Sequence, residues 1–105
     1  MKSQFFIITE GKSFILNTKN LIMILSGKNI IITGSGRGIG QAVAIACAKE
    51  GANLGLMSRT LEELEQTKKE IEELSVNGKI IIKSTDITKY EDVAEAFKLF
   101  NEELG

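Results

Sequence analysis

Thr33-Gly34-Ser35-Gly36-Arg37-Gly38-Ile39-Gly40 puts four glycines and an arginine into eight residues. Glycine turns a chain sharply without a Cβ penalty. A backbone stripped of side chains also lets a phosphate group approach amide N–H groups where a helix begins, and the helix dipole favours an anion there. The spacing is not that of a P-loop, because no Gly-Lys-Ser/Thr follows, and it is not G-x-G-x-x-G, because Ile39 stands where the third glycine belongs. It is T-G-x-x-x-G-x-G, carried by Thr33, Gly34, Gly38 and Gly40. Ser58-Arg59 and Asp86-Ile87, further along, are the other candidates for polar recognition.

Such a turn needs a strand before it and a helix after it. Asn29-Ile30-Ile31-Ile32-Thr33 is a short, β-branched apolar run, the pattern of a fully buried strand. Residues 38–50 carry Ile39, Val43, Ala46 and Cys47 at helical spacing, with Gly51 as the stop. The alternation continues. Residues 53–58 read as a strand, and Thr60 with Glu63 as a capping box for a helix presenting Leu61, Leu64, Ile71 and Leu74. Asn77-Gly78 is a turn signal and residues 79–83 a third strand. Thr88 with Glu91 is a second capping box, opening a helix with Val93, Ala94, Phe97 and Phe100 inward. The order β-α-β-α-β-α argues an α/β fold: a parallel sheet with right-handed crossovers, in three layers of the Rossmann type. A glycine-rich turn without a ligand is the plain alternative anywhere in a protein. Inside a βαβ unit, after a strand and opening a helix, dinucleotide binding is the stronger reading.

With these elements in place, residues 25–105 are identified as resembling the N-terminal, cofactor-binding part of the short-chain dehydrogenase/reductase family. They look most like its 3-oxoacyl-carrier-protein reductase type. Thr33-Gly34-x-x-x-Gly38-Ile39-Gly40 resembles the family's cofactor signature, and Leu25-Ser26-Gly27-Lys28 its lead-in to the first strand. Asp86-Ile87 resembles its Asp-hydrophobic pair. The resemblance implies that Asp86 bonds the adenine amino group and that Ile87 packs on the ring. It also implies a nicotinamide cofactor, bound by Thr33, Gly34, Ser35, Arg37, Gly38, Ile39 and Gly40, with Gly34, Gly38 and Gly40 at its pyrophosphate.

The choice between cofactors has a physical basis. NAD-binding relatives place an acid about 20 residues after the glycines for the ribose 2′-OH. Ser58 stands there, followed by Arg59. A guanidinium offers paired donors to a 2′-phosphate, which a carboxylate would repel. Arg37 and Arg59 without an acid favour NADP(H) over NAD(H).

The family's catalytic pattern is Tyr-x-x-x-Lys, with an Asn-Ala-Gly segment before it. The one tyrosine, Tyr90, has Ala94 four residues on, and no Asn-Ala-Gly occurs. The expectation is therefore one βαβαβα half of the fold, with no catalytic residue. Three readings follow: part of a truncated or split reductase, one piece of a two-chain reductase, or a non-enzymatic nucleotide-binding module. The first is preferred. The first strand is then expected to be an open sheet edge, available to a partner chain or oligomer. Residues 1–24 form an unassigned N-terminal extension, and Met23 would be a natural start.

Composition narrows the remaining classes. The chain has 105 residues and is 43% hydrophobic, enough for one modest domain. Its formal charge of −1 offers no basic field for nucleic acid. Without histidine and with only Cys47, a Ser-His-Asp triad, His-ligated metals and Cys-rich zinc sites have no residues to draw on. Cys47 itself reads as a small core residue. Phe5–Ile8 and Leu21–Leu25 are too short for a spanning helix or a signal core, so the expected location is the cytoplasm, with no membrane partner.

Overall fold

The computed structural model describes strand residues 5–8 and residues 25–105. The elements are β1 (Phe5–Ile8), β2 (Asn29–Thr33), α1 (Gly38–Lys49), β3 (Asn53–Ser58), α2 (Leu61–Glu72), β4 (Ile80–Ser84) and α3 (Tyr90–Leu104). The strands form one parallel sheet in the order β1-β2-β3-β4.

The β-branched run at β2 pairs residue for residue with β3, from Asn29 opposite Asn53 to Thr33 opposite Met57. Alternate side chains point to opposite faces. Ile30, Ile32, Leu54 and Leu56 lie in a core with Ala44 and Cys47 of α1 and Leu64 and Ile71 of α2. Ile31 and Met57 join Ala96, Phe100 and Leu104 of α3 in a second core. Helices thus cover both faces, which gives the three-layer α/β architecture expected of the βαβαβα order.

Gly55 decides how closely α3 approaches. A Cβ on it would lie 2.8–2.9 Å from ring carbons of Phe100, so the ring rests on bare backbone. Phe100 is fully buried as a result. On the other face, a Cβ on Gly40 would strike the Gly34 carbonyl and come within 2.8 Å of its carbon. The first turn of α1 therefore sits directly against the turn that precedes it.

Four expectations are corrected. The inward face of α1 is Gly40, Ala44, Cys47 and Ala48, one residue on from the face read in the sequence, with Ile39 66% exposed and Ala46 also outward. On α2 the buried set is Leu64, Thr67 and Ile71, while Leu61 and Leu74 are exposed. On α3 it is Ala96, Phe100 and Leu104, with Ala94 and Phe97 turned outward. Neither capping box forms: Thr60 makes no side-chain cap bond, and α3 begins after Lys89 rather than after Thr88.

The expected open edge is also corrected. β1, from the segment left unassigned, pairs in parallel with β2, Phe5 opposite Asn29 through Ile8 opposite Ile32. The edge of β2 is occupied by the chain's own N-terminal strand, and β1 is now the outer strand on that side. The reading of Met23 as a start falls outside the described residues.

Candidate functional site

The glycine turn is held from below. Ser35 is fully buried, and its hydroxyl lies 3.1 Å from the Ile32 carbonyl and 3.3 Å from that of Met57, within reach of donating to either. Thr67, buried on α2, brings its hydroxyl 3.1 Å from the Ser35 carbonyl and 3.3 Å from that of Gly36. A hydroxyl inside an apolar core is costly unless bonded. Ser35 ties the turn to β2 and β3, and Thr67 ties it to α2, which together fix its path. Gly34 and Gly38 both have φ of +61°, the left-handed region, and a Cβ on either would meet nothing within 4 Å. The turn is therefore shaped for glycine while leaving open space on its outer side.

A pocket of about 410 Å³ opens there, between the turn and the C-terminal ends of β3 and β4. Gly34, Gly36 and Arg37 form one wall, Ser58, Arg59, Thr60 and Glu63 another, and Thr85, Ile87 and Thr88 the third. Open α/β sheets take ligands at the carboxyl ends of their strands. The Thr85 amide donates to the Ser58 carbonyl at 2.7 Å, and the Ser84 hydroxyl to that of Arg59 at 3.0 Å, so the two strand ends are tied together.

Of the sequence candidates, Gly34, Arg37, Ser58, Arg59 and Ile87 line this pocket. Asp86 stands beside it, its Oδ1 3.7 Å from the Arg59 guanidinium. The Thr88 hydroxyl and amide donate to the same oxygen at 2.6 and 2.9 Å. These bonds, with Arg59 and Lys89 adding to them, hold the Asp86 carboxyl below its usual range. Thr33, Ser35, Gly38, Ile39 and Gly40 do not line it. Ser35 and Gly40 build the turn from within, and Ile39 points outward.

Glu63 is the residue that the sequence reading missed in this role. Read as half of a capping box, it instead faces the glycine turn. A Cβ on Gly36 would lie 2.8 Å from Glu63 Cβ, 3.2 Å from its Oε1 and 2.9 Å from Ser58 Oγ. Its place in the first turn of the helix after Arg59 is the one signal the sequence held.

The site fits a phosphate-bearing nucleotide. The first turn of α1 carries no acidic residue, and Arg37 at its N-cap makes no side-chain cap bond. The helix N-terminus thus faces the glycine turn without a carboxylate of its own. Among the described residues no group of His, Cys, Asp and Glu is placed to hold a metal ion, and no helix is long and apolar enough to cross a membrane. Cys47 is buried against the sheet. Burial, with Glu50 adding to it, pushes its thiol up to about 11, the state of an inert core residue.

This strand–glycine turn–helix unit is shared with known proteins. Residues 28–105 match the family model for short chain dehydrogenase, and the chain belongs to that family. Its members bind nicotinamide dinucleotide cofactors. The chain is 41% identical over 71 residues to 3-ketodihydrosphingosine reductase of Bos taurus, a match covering 65% of this chain and 21% of that protein. A short-chain type dehydrogenase/reductase from Mycobacterium marinum superposes with a TM-score of 0.75 at 32% identity, over 86% of this chain and 35% of the other. A Caenorhabditis elegans short-chain dehydrogenase/reductase solved with cofactor gives 0.73 at 33% identity, over 77% and 30%. The chain thus spans about a fifth of the length of that curated relative and about a third of the solved ones.

Proposed function

We propose that this chain is the NADP(H)-binding N-terminal part of a short-chain dehydrogenase/reductase and is inactive by itself. In the complete enzyme a hydride moves between NADPH and a carbonyl, with a tyrosine of the later half as the acid. The cofactor supplies the hydride. The residues of this chain bind and orient its adenosine side.

The observation that carries this reading is the convergence of Arg37 and Arg59 on one pocket with the glycine turn, with Ser58 rather than an acid at the end of β3. Gly34, Gly38 and Gly40 shape the turn for the pyrophosphate. Arg37 and Arg59 take the 2′-phosphate, and Asp86 with Ile87 takes the adenine. The protein is proposed to work in the cytoplasm.

Calorimetric titration of the chain with NADP+ and NAD+ tests this. Tighter binding of NADP+ is expected. Equal or tighter binding of NAD+ refutes the assignment of the arginines, and no binding of either refutes the reading as a whole.

A further inference from the structure

We infer that Glu63 is a specificity-determining residue of this pocket: its carboxylate opposes a 2′-phosphate and limits the preference that Arg37 and Arg59 create. The inference rests on the reading of the pocket as the adenosine site. It differs from the usual acid at the end of the second strand, because that position is Ser58 and the charge comes from the next helix.

Three observations carry it. Glu63 lines the same pocket as Arg37, Ser58 and Arg59. Its Oε1 stands 3.2 Å from where a Cβ on Gly36 would be, and Ser58 Oγ stands 2.9 Å from the same point. The capping role that would have turned it toward the start of α2 is not taken up, since the Thr60 amide donates instead to Ser58 Oγ at 3.3 Å. The pocket therefore holds two cations and one anion rather than two cations alone. Arg59, moreover, is already shared with Asp86 at 3.7 Å. A carboxylate among these groups repels a 2′-phosphate, yet it accepts a hydrogen bond from a 2′-hydroxyl at little electrostatic cost.

A unit charge roughly 6–8 Å from a phosphate in a water-exposed pocket changes binding by about 3–10-fold. Glu63→Gln and Glu63→Ala are therefore expected to tighten NADP+ and adenosine 2′,5′-bisphosphate by about 3–10-fold. NAD+ and AMP should bind no more tightly, and the gain should shrink as salt rises. Glu63→Asp, which keeps the charge, should stay near the parent chain. Circular dichroism melts check that each variant is folded, and two neutral substitutions guard against the failure of one. If NADP+ binds the parent chain but Glu63→Gln and Glu63→Ala leave it unchanged or weaker, the role of Glu63 is overturned and the pocket assignment stands. If the parent chain binds neither dinucleotide, the pocket assignment fails and this inference with it.

Discussion

Arg59→Asp is the most demanding perturbation of the proposed pocket. The Arg59 side chain is 73% exposed, so its interaction with a bound phosphate belongs to the high-dielectric limit. There two unit charges at 4 Å are worth about 1 kcal/mol, and a 2′-phosphate carrying about −1.5 to −2 makes this about 1.5–2 kcal/mol. Loss of the guanidinium alone corresponds to roughly a 10–30-fold weaker NADP+. Reversing the charge doubles the effect to about 3–4 kcal/mol, or roughly 10²–10³-fold. The new carboxylate would also stand beside Asp86, which now pairs with Arg59 at 3.7 Å. NAD+ has no 2′-phosphate, so its affinity should change little. The assay is parallel titration of both dinucleotides into the parent chain and the variant, at low and high salt. Screening should shrink the difference as ionic strength rises. Equal weakening of both cofactors, or weakening of neither, refutes the assignment of Arg59 to the 2′-phosphate.

Three further expectations follow from the same geometry. Gly55→Ala places a methyl 2.8–2.9 Å from buried Phe100 ring carbons and should destabilise the fold by about 1–3 kcal/mol, read as a lower denaturation midpoint; an unchanged midpoint contradicts that packing. NADP+ affinity should rise between pH 5 and 7.5 as the 2′-phosphate loses its second proton near a pKa of about 6. NAD+ affinity should stay flatter, because the chain has no histidine and Asp86, its carboxyl held down by Thr88 and then Arg59, is already ionised at pH 5; parallel pH profiles for the two cofactors would contradict this. Cys47, with its thiol near 11, should resist iodoacetamide at pH 8 in the folded chain and react once denatured, whereas full native labelling would show the site to be open.

Short-range pattern and long-range packing were not equally legible in the sequence. β2 and β3 follow from runs whose central residues, Ile30–Ile32 and Leu54–Met57, carry no polar side chain, as burial on both sheet faces requires, and both have the expected bounds. The phase of α1 was not legible. Ile39, Val43, Ala46 and Cys47 and the observed Gly40, Ala44, Cys47 and Ala48 have the same spacing, and small residues on all sides leave periodicity undecided. The contact of Gly40 with the Gly34 carbonyl selects the second set, and only the folded turn reveals it. Thr67 was hidden because a polar residue on a charged helix is assigned to water until its two carbonyl partners are seen. Glu63 was hidden for a related reason, because a local motif explained it before the pocket did. The glycine turn itself was legible, because its chemistry and its backbone geometry are the same requirement.

The parallel ladder between Phe5–Ile8 and Asn29–Ile32 has a kinetic consequence. In the doubly wound order 3-2-1-4-5-6, the seat beside the first strand belongs to the fourth. Here β2 is that first strand and β1 has taken the seat. A strand arriving from any other polypeptide finds no vacancy at Asn29–Ile32 and must wait for β1 to leave. Its incorporation would then follow a rate that levels off as the incoming strand becomes concentrated, at the rate at which four residues let go.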